Sequence, residues 1–269
     1  MLKSYTLCSG SSGNCIFIQS NNTKVLVDCG MSMRRLDKAL HELGSAIDEL
    51  DAVFVTHEHS DHVCGLPMVS KHHHIPIFIT APCAEHIYTN ALNLGKFNEA
   101  EALRADIRTI QPFEKYEVGD LVLMPFTTPH DSIDSVGYVV EDENEEKQLG
   151  IATDIGHISD KVKNCLIGCK QVIIESNHDP EMLMNGPYPY PLKVRVASEC
   201  GHLSNPDCAA FLPELINAGC TNFTLFHLSE ENNLPDLARK ASVESLKACG
   251  ARENDYILSV ADRFEITPL

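Results

Sequence analysis

The chain has 269 residues, 43% of them apolar, and a formal net charge of −17. That length suffices for one sizeable core with no composition break to divide it, no run approaches the roughly eighteen apolar residues of a membrane span, and Met1-Leu2-Lys3-Ser4 opens no signal peptide, so a single domain over residues 1–269, cytoplasmic and without a membrane partner, is expected. The acidic surplus argues against broad electrostatic binding to a polyanion, but less against phosphate at a metal centre, where bound divalent cations reverse the local sign.

The chain begins with short β-like runs, Tyr5 to Cys8, Cys15 to Gln19 and Lys24 to Asp28, separated by glycine-rich or polar turns. This is the spacing of an antiparallel sheet. Between the first two, Ser9-Gly10-Ser11-Ser12-Gly13-Asn14 offers glycines that permit positive φ, successive N–H groups and three hydroxyls. It reads as an anion-binding nest in which Ser12 and Asn14 meet substrate, or as an ordinary hairpin turn. Met33, Leu36, Leu40 and Leu43 then recur at helical spacing before Gly44. Asp28, at a strand end, reads as a carboxylate that steadies a neighbouring metal-binding loop, or as a turn residue.

The densest chemistry follows. Ala52 to Val55 is an apolar run expected to form a short buried strand, and it leads into His57-Glu58-His59-Ser60-Asp61-His62. Alternation puts His57 and His59 on one side of an extended segment, while Asp61 and His62 fall where a helix running through Val69 would begin. Four potential ligands in six residues behind a buried strand point to a metal site rather than a solvated loop. His72-His73-His74, between a helix end and a strand, has solvent and the helix terminus as its ordinary explanation.

A helix is expected over Pro82 to Leu94, short strands around the Gly119-Asp120 turn, and a strand from Leu121 to Thr127 that runs into Thr128-Pro129-His130. Ser135 to Val140 and Gln148 to Ala152 read as paired strands joined by an exposed acidic tip, Glu141 to Lys147, and the second ends in Thr153-Asp154. A helix over Ser159 to Leu166, a strand over Gln171 to Glu175 and a stiff surface segment from Gly186 to Pro191 come next. Gly201-His202-Leu203-Ser204-Asn205-Pro206 opens a helix with Ser204 or Asn205 as cap, Phe223 to Phe226 is a strand ending in His227, and a helix over Pro235 to Ala248 precedes the terminal strands.

His57 and His59, His130, Asp154 and His227 thus each follow an apolar β run. In a layered α/β protein strand ends on one sheet edge converge, and seven N/O ligands suit two divalent ions, with zinc, manganese and iron all compatible. Eleven cysteines, an odd number without a C-x-x-C pair, argue against a disulfide framework and against a zinc finger.

In these residues the chain resembles the metallo-β-lactamase superfamily, whose H-x-H-x-D-H motif, later lone His, bridging Asp and final His match His57-Glu58-His59-Ser60-Asp61-His62, His130, Asp154 and His227 in order. Ser9 to Cys15, Gly201 to Asn205 and His227-Leu228-Ser229-Glu230-Glu231-Asn232-Asn233 are similar to the YycJ/WalJ branch of bacterial proteins. The resemblance implies a four-layer αβ/βα sandwich. It implies further that His57, His59 and His130 hold one metal, that Asp61, His62 and His227 hold another, and that Asp154 bridges them with a shared hydroxide as nucleophile on phosphorus.

Departures from sibling families narrow the substrate. Class B β-lactamases usually carry Cys where this chain has Asp154, and the tail after His227 is too short for the helical domain of glyoxalase II. Too few residues separate Asp154 from His202 for a β-CASP insertion. The resemblance therefore implies a compact phosphodiesterase, a 5′-to-3′ exonuclease on DNA ends, with a small-molecule (cyclic or nucleotide) phosphodiesterase or a non-catalytic regulatory metal protein as alternatives.

His202 sits in a loop similar to one in which a His contacts phosphate, so it would protonate the leaving oxygen or stabilise charge, unless it only makes local bonds at a helix start. Ser204 would favour an anion at the same helix end. His178 reads as a substrate contact or a turn residue. Tyr188, Tyr190, Lys193 and Arg195 interleave aromatic and basic character, and read as a DNA contact or as buried rings with snorkelling cations.

Overall fold

The computed structural model describes residues 2–142 and 146–269. The chain forms two compact units, one of Met1–Pro125, Ser132–Val136 and Asp262–Pro268, the other of Phe126–Asp131, Gly137–Ala261 and Leu269.

The first unit is built on strands β1 (Lys3–Cys8), β2 (Cys15–Gln19), β3 (Lys24–Val27), β4 (Ala52–Phe54), β5 (Ile77–Thr80) and β6 (Ile107–Ile110), hydrogen-bonded in that order. The first three pair antiparallel through tight turns; β3 to β6 pair parallel, which requires crossovers. The crossovers carry the helices α1 (Met33–Glu42), α2 (Ser60–Val63), α3 (Leu66–His73), α4 (Ala81–Asn93) and α5 (Phe97–Asp106). Ser32 caps α1 by accepting from Arg35 N–H, and its buried Leu36 and Leu40 join Leu7, Phe17, Leu26, Val53 and Ile77 in one core. Each such side chain contributes about 1.5–3 kcal/mol on burial.

The single helix expected through Val69 is two, because Gly65 interrupts it. A Cβ there would lie 2.2 Å from the Met31 carbonyl oxygen, so this position must approach backbone closely and α3 restarts beyond it. The motif is thereby pressed against the chain that follows Asp28. Helix α5 was not anticipated; its buried Ala100, Ala102 and Leu103 are too small a stripe to signal from sequence. Strands β7 (Tyr116–Val118) and β8 (Leu121–Thr127) form the expected hairpin around Gly119.

The second unit takes β9 (Val136–Glu141) from Gly137 onward; β9 pairs antiparallel with β10 (Lys147–Ala152), and β11 (Gln171–Glu175), β12 (Asn222–Phe226) and β13 (Ile257–Val260) continue in parallel. Its helices are α6 (Asp160–Leu166), α7 (Pro180–Asn185), α8 (Tyr190–Val196), α9 (Asn205–Asn217) and α10 (Pro235–Ala248). A last strand, β14 (Thr267–Pro268), returns to β1 in the first unit's sheet. Of the acidic tip expected over Glu141 to Lys147, residues 143–145 lie outside the described residues, and Glu141 is not exposed but buried, as the last paired residue of β9. The segment from Gly186 to Pro191 is irregular and at the surface over Gly186 to Pro189, and only Tyr190 and Pro191 enter α8, where a missing proline N–H in the first turn costs nothing.

Register explains what these sheets bring together. Ala152, Ile174 and Leu225 lie side by side across β10, β11 and β12, so Asp154, Glu175 and His227 emerge along one edge. Among the described non-glycine residues, positive φ occurs at Asp28, Asp154 and His227, besides His74 and Phe113. Such left-handed residues are sparsely populated, and three of them stand at strand ends that carry chemistry. No described helix is long and apolar enough to cross a membrane.

Candidate metal centre

In the first unit the imidazoles of His57, His59 and His62 cluster, with ring centroids 4.7 Å apart for His57 and His59 and 4.1 Å for His57 and His62. A buried carboxylate organises them. Asp28 Oδ2 lies 2.7 Å from Nδ1 of His62, so that ring donates through Nδ1 and turns Nε2 towards ligation. Asp28 also accepts from the Thr56 N–H at 2.8 Å and from the Thr56 hydroxyl at 2.9 Å. With its proton given to Asp28, the Thr56 oxygen accepts from His57 Nδ1 at 2.9 Å, so ligation by His57 also falls to Nε2. One carboxylate thus sets the tautomer of two imidazoles, as a metal-steadying residue would.

Asp61 and His62 are held from the other side by the glycine-rich loop. Asn14 gives its side-chain amide to Asp61 Oδ2 at 3.1 Å, and that amide lies 3.0 Å from His62 Nε2; its backbone N–H bonds the Asp61 carbonyl. Gly10 N–H returns to Asn14 Oδ1 at 2.8 Å. Asn14 is fully buried among motif atoms, while Ser12 is exposed on the turn. Glu58, between the two motif histidines, is a buried anchor that accepts from Ile133 N–H and Cys83 Sγ.

In the second unit Asp154 is central. Its Oδ1 lies 3.5 Å from Nδ1 of His227, 3.7 Å from Nδ1 of His202 and 3.8 Å from Nε2 of His130, and Thr153 donates to its other oxygen. His130 faces Asp154 with Nε2 because its Nδ1 donates to the Gly201 carbonyl at 3.1 Å. Beneath stands Glu175, fully buried. Its Oε1 accepts from Nδ1 of both His202 and His227, at 2.7 and 2.8 Å, and its Oε2 accepts from the N–H groups of Ile155 and Leu203. The ligand atoms of Asp154, Glu175, His202 and His227 fall within 4.8 Å of one another. With four donors already on its two oxygens, Glu175 is a hub that orients imidazoles rather than a ligand itself.

Burial alone would raise the Glu175 pKa, yet the charge and hydrogen bonds of His202 and the bond from His227 hold it well below the usual carboxylate range. The converse holds for His202: burial pushes its pKa down, and the Glu175 carboxylate more than offsets that, leaving it raised.

The remaining expected contacts are placed variously. Ser204 caps α9, its hydroxyl accepting from Asp207 N–H. His178 is buried, and its Nδ1 meets no hydrogen-bond partner among the described residues. Tyr190 is 69% exposed at the start of α8, Lys193 is tied to the Met184 carbonyl at 2.7 Å, and Arg195 is paired with Asp131. Sequence reasoning missed Glu175, although it ends an apolar strand just as the chemistry-bearing Asp154 and His227 follow theirs. It also missed Asn177 and Asn233, whose side chains bind the His227 carbonyl and the backbone of Ser176 and Asn177 respectively.

Imidazoles with Nδ1 committed to carboxylate, hydroxyl or carbonyl, beside buried carboxylates, are a donor set that fits divalent metal ions, zinc, manganese and iron alike. The family model described as a beta-lactamase superfamily domain matches residues 23–224. Exodeoxyribonuclease YycJ of Bacillus anthracis is 31% identical over 97% of this chain and 92% of its own length. Exodeoxyribonuclease WalJ of Streptococcus pneumoniae strain D39 is 31% identical over 89% of this chain and 86% of its own. Among solved structures, zinc-bound PqqB of Methylobacterium extorquens superposes over 100% of both chains with a TM-score of 0.70 at 15% identity, a likeness of fold alone. The expected metallo-β-lactamase α/β fold class is therefore correct.

Proposed function

Because the chain belongs to the metallo-β-lactamase superfamily, in the group of YycJ and WalJ, and is a metal-dependent hydrolase, we propose that it is a dinuclear phosphodiesterase that digests DNA from its ends in the 5′-to-3′ direction. The observation that carries the reading is the match, along almost the whole chain, to relatives called exodeoxyribonucleases. The proposed centre is one cytoplasmic domain's, without a β-CASP insertion: His57, His59 and His130 for one ion, Asp61, His62 and His227 for the other, Asp154 for both.

Two divalent cations, when bound, neutralise phosphate charge and lower the pKa of water towards neutrality. The chain's own part is to orient and to move a proton. Asp28 fixes His62 and, through Thr56, His57; Glu175 fixes His227 and His202. With Nδ1 on Glu175 and its pKa raised, His202 is a proton donor to the leaving oxygen, or a cation that stabilises charge there. His178, with its buried ring nitrogen, and Ser204 are proposed to meet phosphate, Ser12 and Asn14 to shape the anion-facing loop, and Tyr190 and Lys193 to meet a base and its backbone.

The net charge of −17 favours one rival, a phosphodiesterase for cyclic or other small nucleotides. Incubation of end-labelled linear DNA and of cyclic nucleotides with manganese- or zinc-loaded protein separates them. Stepwise loss of nucleotides from DNA supports the proposal; hydrolysis of cyclic nucleotides alone establishes the rival; metal binding without turnover of either leaves a regulatory protein.

A further inference from the structure

Within the first unit, a cleft of about 580 Å³ opens beside the metal motif, between the α2–α3 segment and α4. His59 is part of its wall. Its size falls within the roughly 300–1,000 Å³ of small-molecule sites, enough for one nucleotide and too small for a duplex. The sides are apolar, with Val63, Leu66 and Pro67 facing Ile87 and Ala91. At the mouth Leu94 is 62% exposed and Ile133 52%, an apolar rim of the kind that marks a binding surface.

The polar groups are distributed by sign. Glu58 lines the cleft as a buried carboxylate, fixed by Ile133 N–H and Cys83 Sγ, which disfavours an anion there but suits the amino group of a base. Lys96 lines it as an exposed ammonium with no carboxylate within ion-pair distance among the described residues, although Glu99 feels its charge. His86 and Asn90 project from one face of α4, a turn apart, and their side chains have no hydrogen-bond partner among the described residues. Apolar walls, an acceptor within and a cation at the rim are complementary to a nucleobase whose phosphate stays outside.

We propose that this cleft seats the base of the terminal nucleotide of a single strand, between Val63 and Pro67 on one side and Ile87 on the other, with Lys96 on its phosphate. The inference rests on the nucleic-acid reading above and deepens it. A seat for one unstacked base beside His59 favours the frayed terminal nucleotide over stacked internal ones, as exonucleolytic action requires.

Cys64, exposed and part of the lining, reports on occupancy without any mutation. The metal-loaded protein is treated with a maleimide, with and without deoxyadenosine 5′-monophosphate, and modification of Cys64 is followed by peptide mass spectrometry against exposed Cys249 at the end of α10. At roughly ten times its Kd the nucleotide should slow Cys64 labelling about tenfold and leave Cys249 unaffected. Deoxyadenosine should protect at higher concentration, while inorganic phosphate and deoxyribose 5-phosphate should not. Asn90→Trp, which fills the cleft from an exposed position, should abolish the nucleotide's effect. Protection by phosphate equal to that by nucleotide, or no protection by either, overturns the base seat. The two readings fail separately: DNA digestion without Cys64 protection removes the cleft alone, and protection without DNA digestion removes the exonuclease alone.

Discussion

Nδ1 of His202 lies 2.7 Å from Oε1 of Glu175, on the same oxygen that receives Nδ1 of His227 at 2.8 Å. A single buried carboxylate therefore orients both a proposed metal ligand and a proposed proton donor. Replacing it with a neutral isostere should damage two functions while leaving the packing nearly intact. Glu175→Gln should weaken metal binding about 10- to 100-fold, and lower kcat further at saturating metal because His202 loses the charge that holds its proton. Metal titration followed by kinetics at saturation measures both. Unchanged kcat at full occupancy would free His202 from Glu175.

Asp28 offers a test in which geometry and charge separate. Its φ of +63° is a conformation that Asn tolerates and Ala does not. Asp28→Asn should fold and lose about 10- to 100-fold in metal affinity, because a neutral amide supports His62 and Thr56 less well. Asp28→Ala should also lose stability, by about 1–3 kcal/mol, from strain and from a buried N–H left without its acceptor. Equal melting temperatures for the two variants would contradict the strain.

Much of this was legible in the sequence because the signals are local. The motif behind Ala52 to Val55, the cap at Ser204 and the helix over Pro235 to Ala248 each declare themselves within a few residues. Glu175 did not, because its meaning comes from register: only when β10, β11 and β12 align does a glutamate at one strand end lie beneath histidines far away in the chain. Gly65 was equally silent, since its requirement is the Met31 carbonyl brought against it by folding. Helix α8 gave no signal in the sequence, because its two flanking prolines read as helix breakers although they are favoured at a helix start.

Asp154 is proposed to serve both ions, so Asp154→Asn should lose the two together rather than one. Elemental analysis of the purified variant measures this directly. Two ions retained at full occupancy would defeat the bridging role, and loss of one alone would make Asp154 an ordinary ligand.

His202 is left out of the proposed ligand set, although its ring lies within 4.8 Å of Asp154 and His227 ligand atoms. His202→Ala should keep its metal content and fold and lose about 10²- to 10⁴-fold in rate on DNA. A general acid predicts that the loss shrinks on a nitrophenyl ester, whose leaving group needs no proton; charge stabilisation predicts that it does not. Parent-level digestion of DNA, or loss of metal, would remove His202 from the mechanism.

The proposed activity is metal-dependent digestion of DNA from a 5′ end. Its most direct test is a time course on linear duplex labelled in separate samples at the 5′ and the 3′ end, using metal-stripped protein reloaded with manganese or zinc. A 5′-to-3′ exonuclease should release labelled mononucleotide at once from the 5′-labelled duplex, give a progressively shortening ladder from the 3′-labelled one, and yield no product from either without added metal. DNA left intact by protein carrying its full complement of metal would contradict it.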